Sequence, residues 1–541
     1  MKKKLSLIIL PLVFITIFAI KSDDFDLIKN IEIYQNVLRE LRTDYVDEVD
    51  INKLVTTSIK SMLKTLDPYT VYYPEEEIED ARIFSEATYT GIGIIVSRVG
   101  KSIYIQEVLQ NSPADKAGVK QGYQIISVNG KNISGLSMNK IHLLITGEPG
   151  SKVKMEFKIP GTDITKTLNI ERQNIKLQAV SYYGITDENI GYIRLEQFSN
   201  QAYEQFKNAF IELKKQKING LIIDLRNNPG GLLNEAVDIL SLFIPKGTLV
   251  VSTKGKNPQN NSEFKTNKRP VDTKIPITVL VNGRSASAAE IVSGTLQDLD
   301  RAVIIGEQTY GKGLVQKTAR TGYNTLMKLT ISKYYIPSGR CIQAYNYQTH
   351  KSTKNTADSL LNKFYTKNGR PVYEGKGIIP DLKVKKSSDS SFVDSLVKNK
   401  IFIRFSAYYG YIKKDNIPPA DNINFSDWKI FENFLSQTYT YNSKTLAEIE
   451  GLIQNKENLI SENDLETLKK IKDDIKAAQS YSKLIEKNKS QIKSHIETAL
   501  ISYKYYRGGL YHYLLLTDKQ SKTAKLILKD ENEYEKILKG N

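Results

Sequence analysis

Residues 275–316, IPITVLVNGRSASAAEIVSGTLQDLDRAVIIGEQTYGKGLVQ, constrain the fold more than any other stretch of the chain. The apolar, β-branched run from Ile275 to Val281 reads as a buried strand. Asn282-Gly283 breaks it, and Ser285, Ala286 and Ser287 follow as small residues. From Ala288 the apolar residues Ile291, Val292, Leu296 and Leu299 recur at helical spacing. A second apolar strand, Ala302 to Ile305, ends at Gly306 and leads to Gly311-Lys312-Gly313. A strand, a tight turn and a helix in that order belong to a layered α/β architecture. The order also sets a serine at a helix N-terminus, where unpaired N–H groups and the helix dipole face an anion.

Two readings of that serine stand side by side. Ser285 or Ser287 caps the helix, the ordinary role of serine before an apolar periodic run. Alternatively one of them is a nucleophile beside a ready-made oxyanion site. Lys312 bears on the choice, because two flanking glycines let the backbone approach closely and keep the side chain off a solvated helix face. Gln316 shares its side if 312–316 is extended, since strand side chains repeat every two residues. Burial lowers a lysine pKa, and a neutral amine takes the proton from a serine hydroxyl.

Ser285-Ala286-Ser287-Ala288-Ala289-Glu290, followed by Gly311-Lys312-Gly313 and Gln316, resembles the catalytic core of the C-terminal processing peptidases. These are the tail-specific serine endopeptidases of family S41 that carry a PDZ domain. The resemblance implies a crotonase-like α/β protease core. It selects Ser287, three residues before Glu290, as nucleophile with Ser285 as fallback, Lys312 as general base and Gln316 as the group that holds the lysine. It implies oxyanion donors on Ala288 and on Gly230 of the turn Asn227-Asn228-Pro229-Gly230-Gly231, a turn that without the serine motif reads equally as a plain strand-to-helix connection. Ala289 stands where the family often has a further serine, a departure beyond the nucleophile. Neither cofactor nor metal is called for.

The 541 residues are too many for one ordinary domain. With 40% hydrophobic and 25% charged residues the chain is of folded, globular type. Its formal charge of +17 fits an anionic membrane surface or solvated faces better than nucleic acid, for which no motif is present. Residues 1–22 carry Lys2, Lys3 and Lys4 ahead of an apolar run from Leu5 to Ile20, the layout of an export signal or retained membrane anchor. A periplasmic or cell-envelope location follows as the expectation. Residues 23–86 read as a helical segment stopped at Leu66-Asp67-Pro68-Tyr69, a turn the family also carries and an ordinary helix terminus also explains.

Residues 87–172 alternate strands with glycine turns and resemble a mostly β PDZ domain of the bacterial protease type. The loop Gly91-Ile92-Gly93-Ile94, Ser112-Pro113-Ala114 and the hairpin at Val128-Asn129-Gly130 carry that resemblance. It implies that Gly91, Ile92, Gly93 and Ile94 capture a peptide C-terminal carboxylate by backbone N–H groups, with β-augmentation beside them. Arg172 matches an arginine that often ends this domain, whether as a coupling residue or a solvated strand end. Residues 173–385 form the α/β core, and 386–541 a charged helical region able to dimerise, contact an adaptor or cover the protease. His142, His350, His495 and His512 lie outside the core strand-turn segments and outside any metal motif, so a serine–lysine pair needs fewer assumptions than a histidine triad. The expected function is a serine endopeptidase that cleaves proteins near accessible C-termini. The alternatives are a silent PDZ scaffold for C-terminal tails and a non-proteolytic acyl transferase on the same core.

Overall fold

The computed structural model describes residues 22–78, 87–347, 349–385, 388–441, 443–454, 462–478 and 480–540. The apolar run read as an export segment lies outside them, and among the described residues no helix is long and apolar enough to cross a membrane. The chain divides into two compact units, one reaching to Glu76 and including Gln316–Thr330, the other made of Glu77–Val315 and Ile331–Asn541.

The larger unit is built on a six-stranded sheet. Its order is Val180–Ile185, Ile190–Leu195, Gly220–Asp224, Ile277–Val281, Val303–Gly306 and Leu382–Lys383. The first pair is antiparallel and the others are parallel. Strand side chains alternate between faces, and both faces here are apolar. Ile193, Leu195, Leu221, Ile223, Ile277, Val279 and Val281 pack with the helices Ala202–Lys215, Leu233–Leu240 and Ala288–Asp298. Their neighbours Ile190, Tyr192, Ile222, Leu280, Val303 and Ile305 face the other way, onto Leu515, Ala524, Tyr534 and Leu538. Those four residues belong to the helices Lys489–Thr517, Lys519–Lys529 and Glu531–Lys539, so the end of the chain supplies the second helical layer of the core. Of the three roles open to the C-terminal region, covering the protease core is therefore one that its last helices fill.

The same region packs on the β domain. Ile94–Val99, Ser102–Val108, Gln124–Val128, Lys152–Lys158 and Thr165–Glu171 form an antiparallel sheet with the helix Met138–Ile145. Its core residues, among them Ile103, Ile125 and Phe157, belong to one cluster with Phe392, Phe405, Phe431 and Ile492. Helix Lys489–Thr517 breaks at Tyr506 (φ 55°, ψ −157°). There the Tyr506 hydroxyl donates to Asp115 (2.5 Å) and Arg507 forks onto Glu107 (2.5 and 3.0 Å). Arg172 is buried, and its guanidinium donates to the carbonyls of Leu144, Ile145 and Lys152. It is therefore a buried C-cap of the Met138–Ile145 helix rather than a solvated strand end.

In the smaller unit the helices Ser22–Asp44 and Ile51–Lys64 are linked by a Tyr34–Ser58 hydroxyl bond of 2.6 Å. The strand Val71–Tyr73 pairs antiparallel with Leu326–Lys328. Tyr323 and Asn324, both at positive φ, turn the hairpin that carries Gln316 and Thr330.

Candidate active site

Strand Ile277–Val281 ends at Asn282, whose carboxamide accepts from the N–H groups of Asn227 (2.9 Å) and Arg284 (3.1 Å). Ser285 is fully buried. Its hydroxyl donates to the Leu225 carbonyl (2.8 Å) and accepts from the Asn282 N–H (2.9 Å). It is thus a fastener between two loops, and the fallback nucleophile is withdrawn from chemistry. Ser287 is half-buried at the head of helix Ala288–Asp298 with φ 56° and ψ −117°. A β-carbon at positive φ is strained by roughly 1–3 kcal/mol, and such residues persist where neighbours over-determine them. The next N–H, that of Ala288, is the first of the helix and faces along its dipole.

Gly230 holds φ +97° on the opposite wall. A β-carbon there would stand 2.7 Å from Ser287 Cβ and 2.9 Å from Ala288 N, so only glycine brings this turn so close to the serine. Its own N–H donates to Asn228 Oδ1 at 2.8 Å in this state.

Glu290 is the organising residue that motif reading left without a role. Its fully buried carboxylate accepts from Ser287 N–H and Lys312 N–H (both 2.9 Å), Gly311 N–H (2.7 Å) and the Thr309 hydroxyl (2.5 Å). The signal was present: Ser287-x-x-Glu290 has the spacing of a capping box. Burial pushes this carboxyl up to about 7, and the four donors pull against that rise. On the carbonyl side, the buried Tyr334 hydroxyl lies 2.5 Å from Lys312 O and 3.2 Å from Ser287 O. One carboxylate and one phenol thus span the serine and the lysine, and the sequence offered no sign of the phenol.

Lys312 is half-buried, and its flanking glycines are required by close packing. A β-carbon on Gly311 would lie 2.3 Å from Ala344 Cβ, and one on Gly313 would lie 2.7 Å from Gln343 N. Lys354, whose ammonium sits 5.4 Å from the Tyr310 ring, is held below the ordinary lysine range by burial, an effect the charge of Glu290 opposes. Gln316 belongs to the smaller unit, where its Nε2 donates to Thr330 Oγ1 at 3.2 Å. The structure therefore gathers Ser287, Ala288, Gly230 and the Lys312 backbone.

The loop Gly91-Ile92-Gly93-Ile94 lines a groove of 210 Å³ with Tyr89, Val96, Met138, His142 and Ile145. The carbonyls of Ile92 and Gly93 are turned inward, accepting from Ala114 N (2.9 Å) and Leu109 N (2.9 Å). Burial, with Glu107 nearby, pushes the Tyr89 phenol up to about 12. His495 pairs with Asp389 (2.9 Å) and His512 with Asp421 (3.0 Å).

Three family descriptions match the chain: the PDZ domain over residues 82–158, peptidase family S41 over 189–353, and the C-terminal helical domain of PDZ-proteases over 392–528. The carboxy-terminal-processing protease of Bartonella bacilliformis is 36% identical over 58% of this chain and 73% of its own length. The chain belongs to peptidase family S41. Carboxy-terminal processing protease CtpA of Bacillus subtilis is 37% identical to this S41 peptidase over 56% of the chain and 64% of that protein. The corresponding values for a Synechocystis carboxyl-terminal-processing protease are 35%, 55% and 70%. This S41 peptidase is a PDZ-containing serine peptidase of the C-terminal processing type, and its strand-turn-helix core carries the expected α/β architecture.

Proposed function

We propose that this S41 peptidase cleaves proteins near their C-termini with a Ser287–Lys312 dyad. The observation that carries the reading is the single Glu290 carboxylate holding the N–H groups of both residues, which fixes nucleophile and base from one buried point. The Gly91–Ile94 loop holds the substrate's terminal carboxylate and the chain enters beside it. Neutral Lys312 accepts the Ser287 proton as the hydroxyl oxygen attacks the peptide carbonyl. The tetrahedral oxyanion is held by Ala288 N–H and by Gly230 N–H, the latter released from Asn228. Lys312 then passes the proton to the leaving amine, and water releases the acyl-enzyme. Gln316 steadies the lysine, a role taken from the family motif. The apolar N-terminal segment exports the chain to the periplasm or cell envelope and either leaves it or anchors it there. Any adaptor binding or self-association uses outer faces of the C-terminal helices.

Purified Ser287→Ala and Lys312→Ala are expected to lose peptide cleavage by more than about 10³-fold. A fluorophosphonate should label the native protein and neither variant. Near-normal cleavage by Ser287→Ala would reject the mechanism. A native protein that binds C-terminal peptides and neither cleaves nor reacts would favour the scaffold reading.

A further inference from the structure

We infer that the cavity beside the loop from Gly306 to Lys312 is a subsite for an acidic stretch of the substrate chain, with Lys354, Lys383 and Lys385 as its contacts. The inference rests on the proposed peptidase function and names the substrate chemistry that function favours. In open α/β sheets, ligands gather outside the carboxyl ends of the parallel strands. Strand Ile277–Val281 leads at that end into the turn that carries Ser287. The next two strands, Val303–Gly306 and Leu382–Lys383, run parallel to it and end at a cavity of about 810 Å³. The cavity therefore lies on the same edge of the sheet as the serine. Gly306, Glu307 and Gln308 line it, just ahead of Thr309 and Gly311, which donate to Glu290.

The ion pairs around its wall separate two kinds of cation. Arg340 is spent on Asp298 (2.8 Å), Arg370 on Asp300 (2.7 Å) and Asp381, and Lys376 on Asp358. Lys354, Lys383 and Lys385 line the same cavity and pair with no carboxylate among the described residues. Against these three stands one further acidic lining residue, Glu307. The fully buried Arg340 also leaves its Nε–H without an acceptor among the described residues. A concave space with an excess of one sign focuses its field and concentrates opposite charge. Lys354 ties the cavity to the chemistry. It is half-buried, and its ammonium lies 5.4 Å from the centre of the ring of Tyr310, whose N–H donates to the Ser285 carbonyl at 3.0 Å. Hydration lost by that ammonium is offset only in part by a ring face, and a substrate carboxylate would complete it. Lys383 and Lys385 are exposed. Positive charge thus extends from the surface to the active-site loop, which suits several carboxylates along an extended chain better than one small anion.

Cleavage of paired peptides by the full-length protein tests this. One cleavable sequence carries a short block of glutamates or of glutamines, set before the scissile bond in one pair and after it in the other. In one of the two placements the glutamate peptide should show a kcat/KM about 10-fold above its glutamine twin at low salt, and the ratio should shrink toward one at high salt. Changing Lys354, Lys383 and Lys385 together to glutamine should bring that ratio to about one. Removing the same charge at the exposed Lys274, Lys519 and Lys522 should leave it intact, which separates the cavity from the overall charge of +17. If the triple cavity variant folds poorly, the double variant Lys383→Gln/Lys385→Gln, confined to exposed side chains, repeats the measurement and should at least halve the ratio. Equal cleavage of both twins in both placements overturns the inference. So does a ratio unchanged in the folded cavity variants, or one lost equally in the control variant. Binding of the same peptides to Ser287→Ala, read by fluorescence anisotropy, judges the subsite apart from the dyad. Tighter binding of the glutamate peptide supports the subsite even if the native protein cleaves neither twin, and equal binding overturns it.

Discussion

Glu290 sits under two opposed forces. Removing a carboxylate from water favours its neutral form, whereas four converging donors favour the ionised one. The balance leaves it titrating at about 7, above the unperturbed value of 4.5. The folded chain therefore holds this proton more tightly than the unfolded chain. Its stabilising contribution is complete below pH 4.5 and declines as pH rises to 7, by about 3 kcal/mol in all. Activity runs the other way, because only the ionised group accepts all four bonds that hold Ser287 and Lys312. Glu290→Gln would turn one NH₂ against those donors. It should lower kcat at least about 10-fold and flatten the stability change between pH 4.5 and 7, as read by urea unfolding at a series of pH values. An unchanged pH dependence would remove Glu290 as its source. Ser287 and Lys312 stood out through the motif they form together, since a serine before a helix is by itself an ordinary cap. Glu290 carried the spacing of a cap and hid its second task, since the bonds to Gly311 and Lys312 span 21 and 22 residues.

Among the elements, the helix Ile401–Ile412 is fixed to the PDZ domain at Gly122. A β-carbon on that glycine, already at φ +86°, would lie 2.2 Å from the Ile403 carbonyl oxygen. Phe405, two residues on, is fully buried against Phe425, Phe431 and Phe434. Gly122→Ala must displace helix backbone, so it should speed hydrogen exchange in 401–412 and 103–128 while leaving 277–298 protected. Uniform exchange across all three segments would contradict this local coupling. The strands Ile190–Leu195, Gly220–Asp224 and Ile277–Val281 were readable as apolar runs bounded by turns. Which helices cover their two faces was not, because periodicity shows that a face is apolar and not what packs on it.

For the whole molecule, the decisive fact is that the C-terminal helices close the core. Leu515, Ala524, Tyr534 and Leu538 cover one face of the six-stranded sheet, and the Tyr534 hydroxyl accepts from Ile277 N–H at 3.0 Å. Arg226 meets Asp518 at 2.6 Å beside the buried Arg194–Asp224 pair. Ending the chain after Thr517 would strip that face and leave Arg226 short of a partner. Such a protein should be insoluble or molten, with near-UV dichroism lost, rather than a slower enzyme. A soluble, cooperatively folded truncation would show these helices to be dispensable. What the sequence determined on its own is the local grammar: strand, glycine turn, serine at a helix start, lysine between glycines, and the glycine loop of the PDZ domain. Each depends on neighbours a few residues apart, where backbone sterics and periodicity act. Only the tertiary structure decided that Ser285 is spent on Leu225, that Glu290 joins the serine to the lysine, that Asp67 and Gln316 meet at the Thr330 hydroxyl, and that the last helices complete the core. Those assignments depend on hydrogen-bond partners and apolar faces brought together across long loops, and separation along the chain carries no record of which pairs will meet.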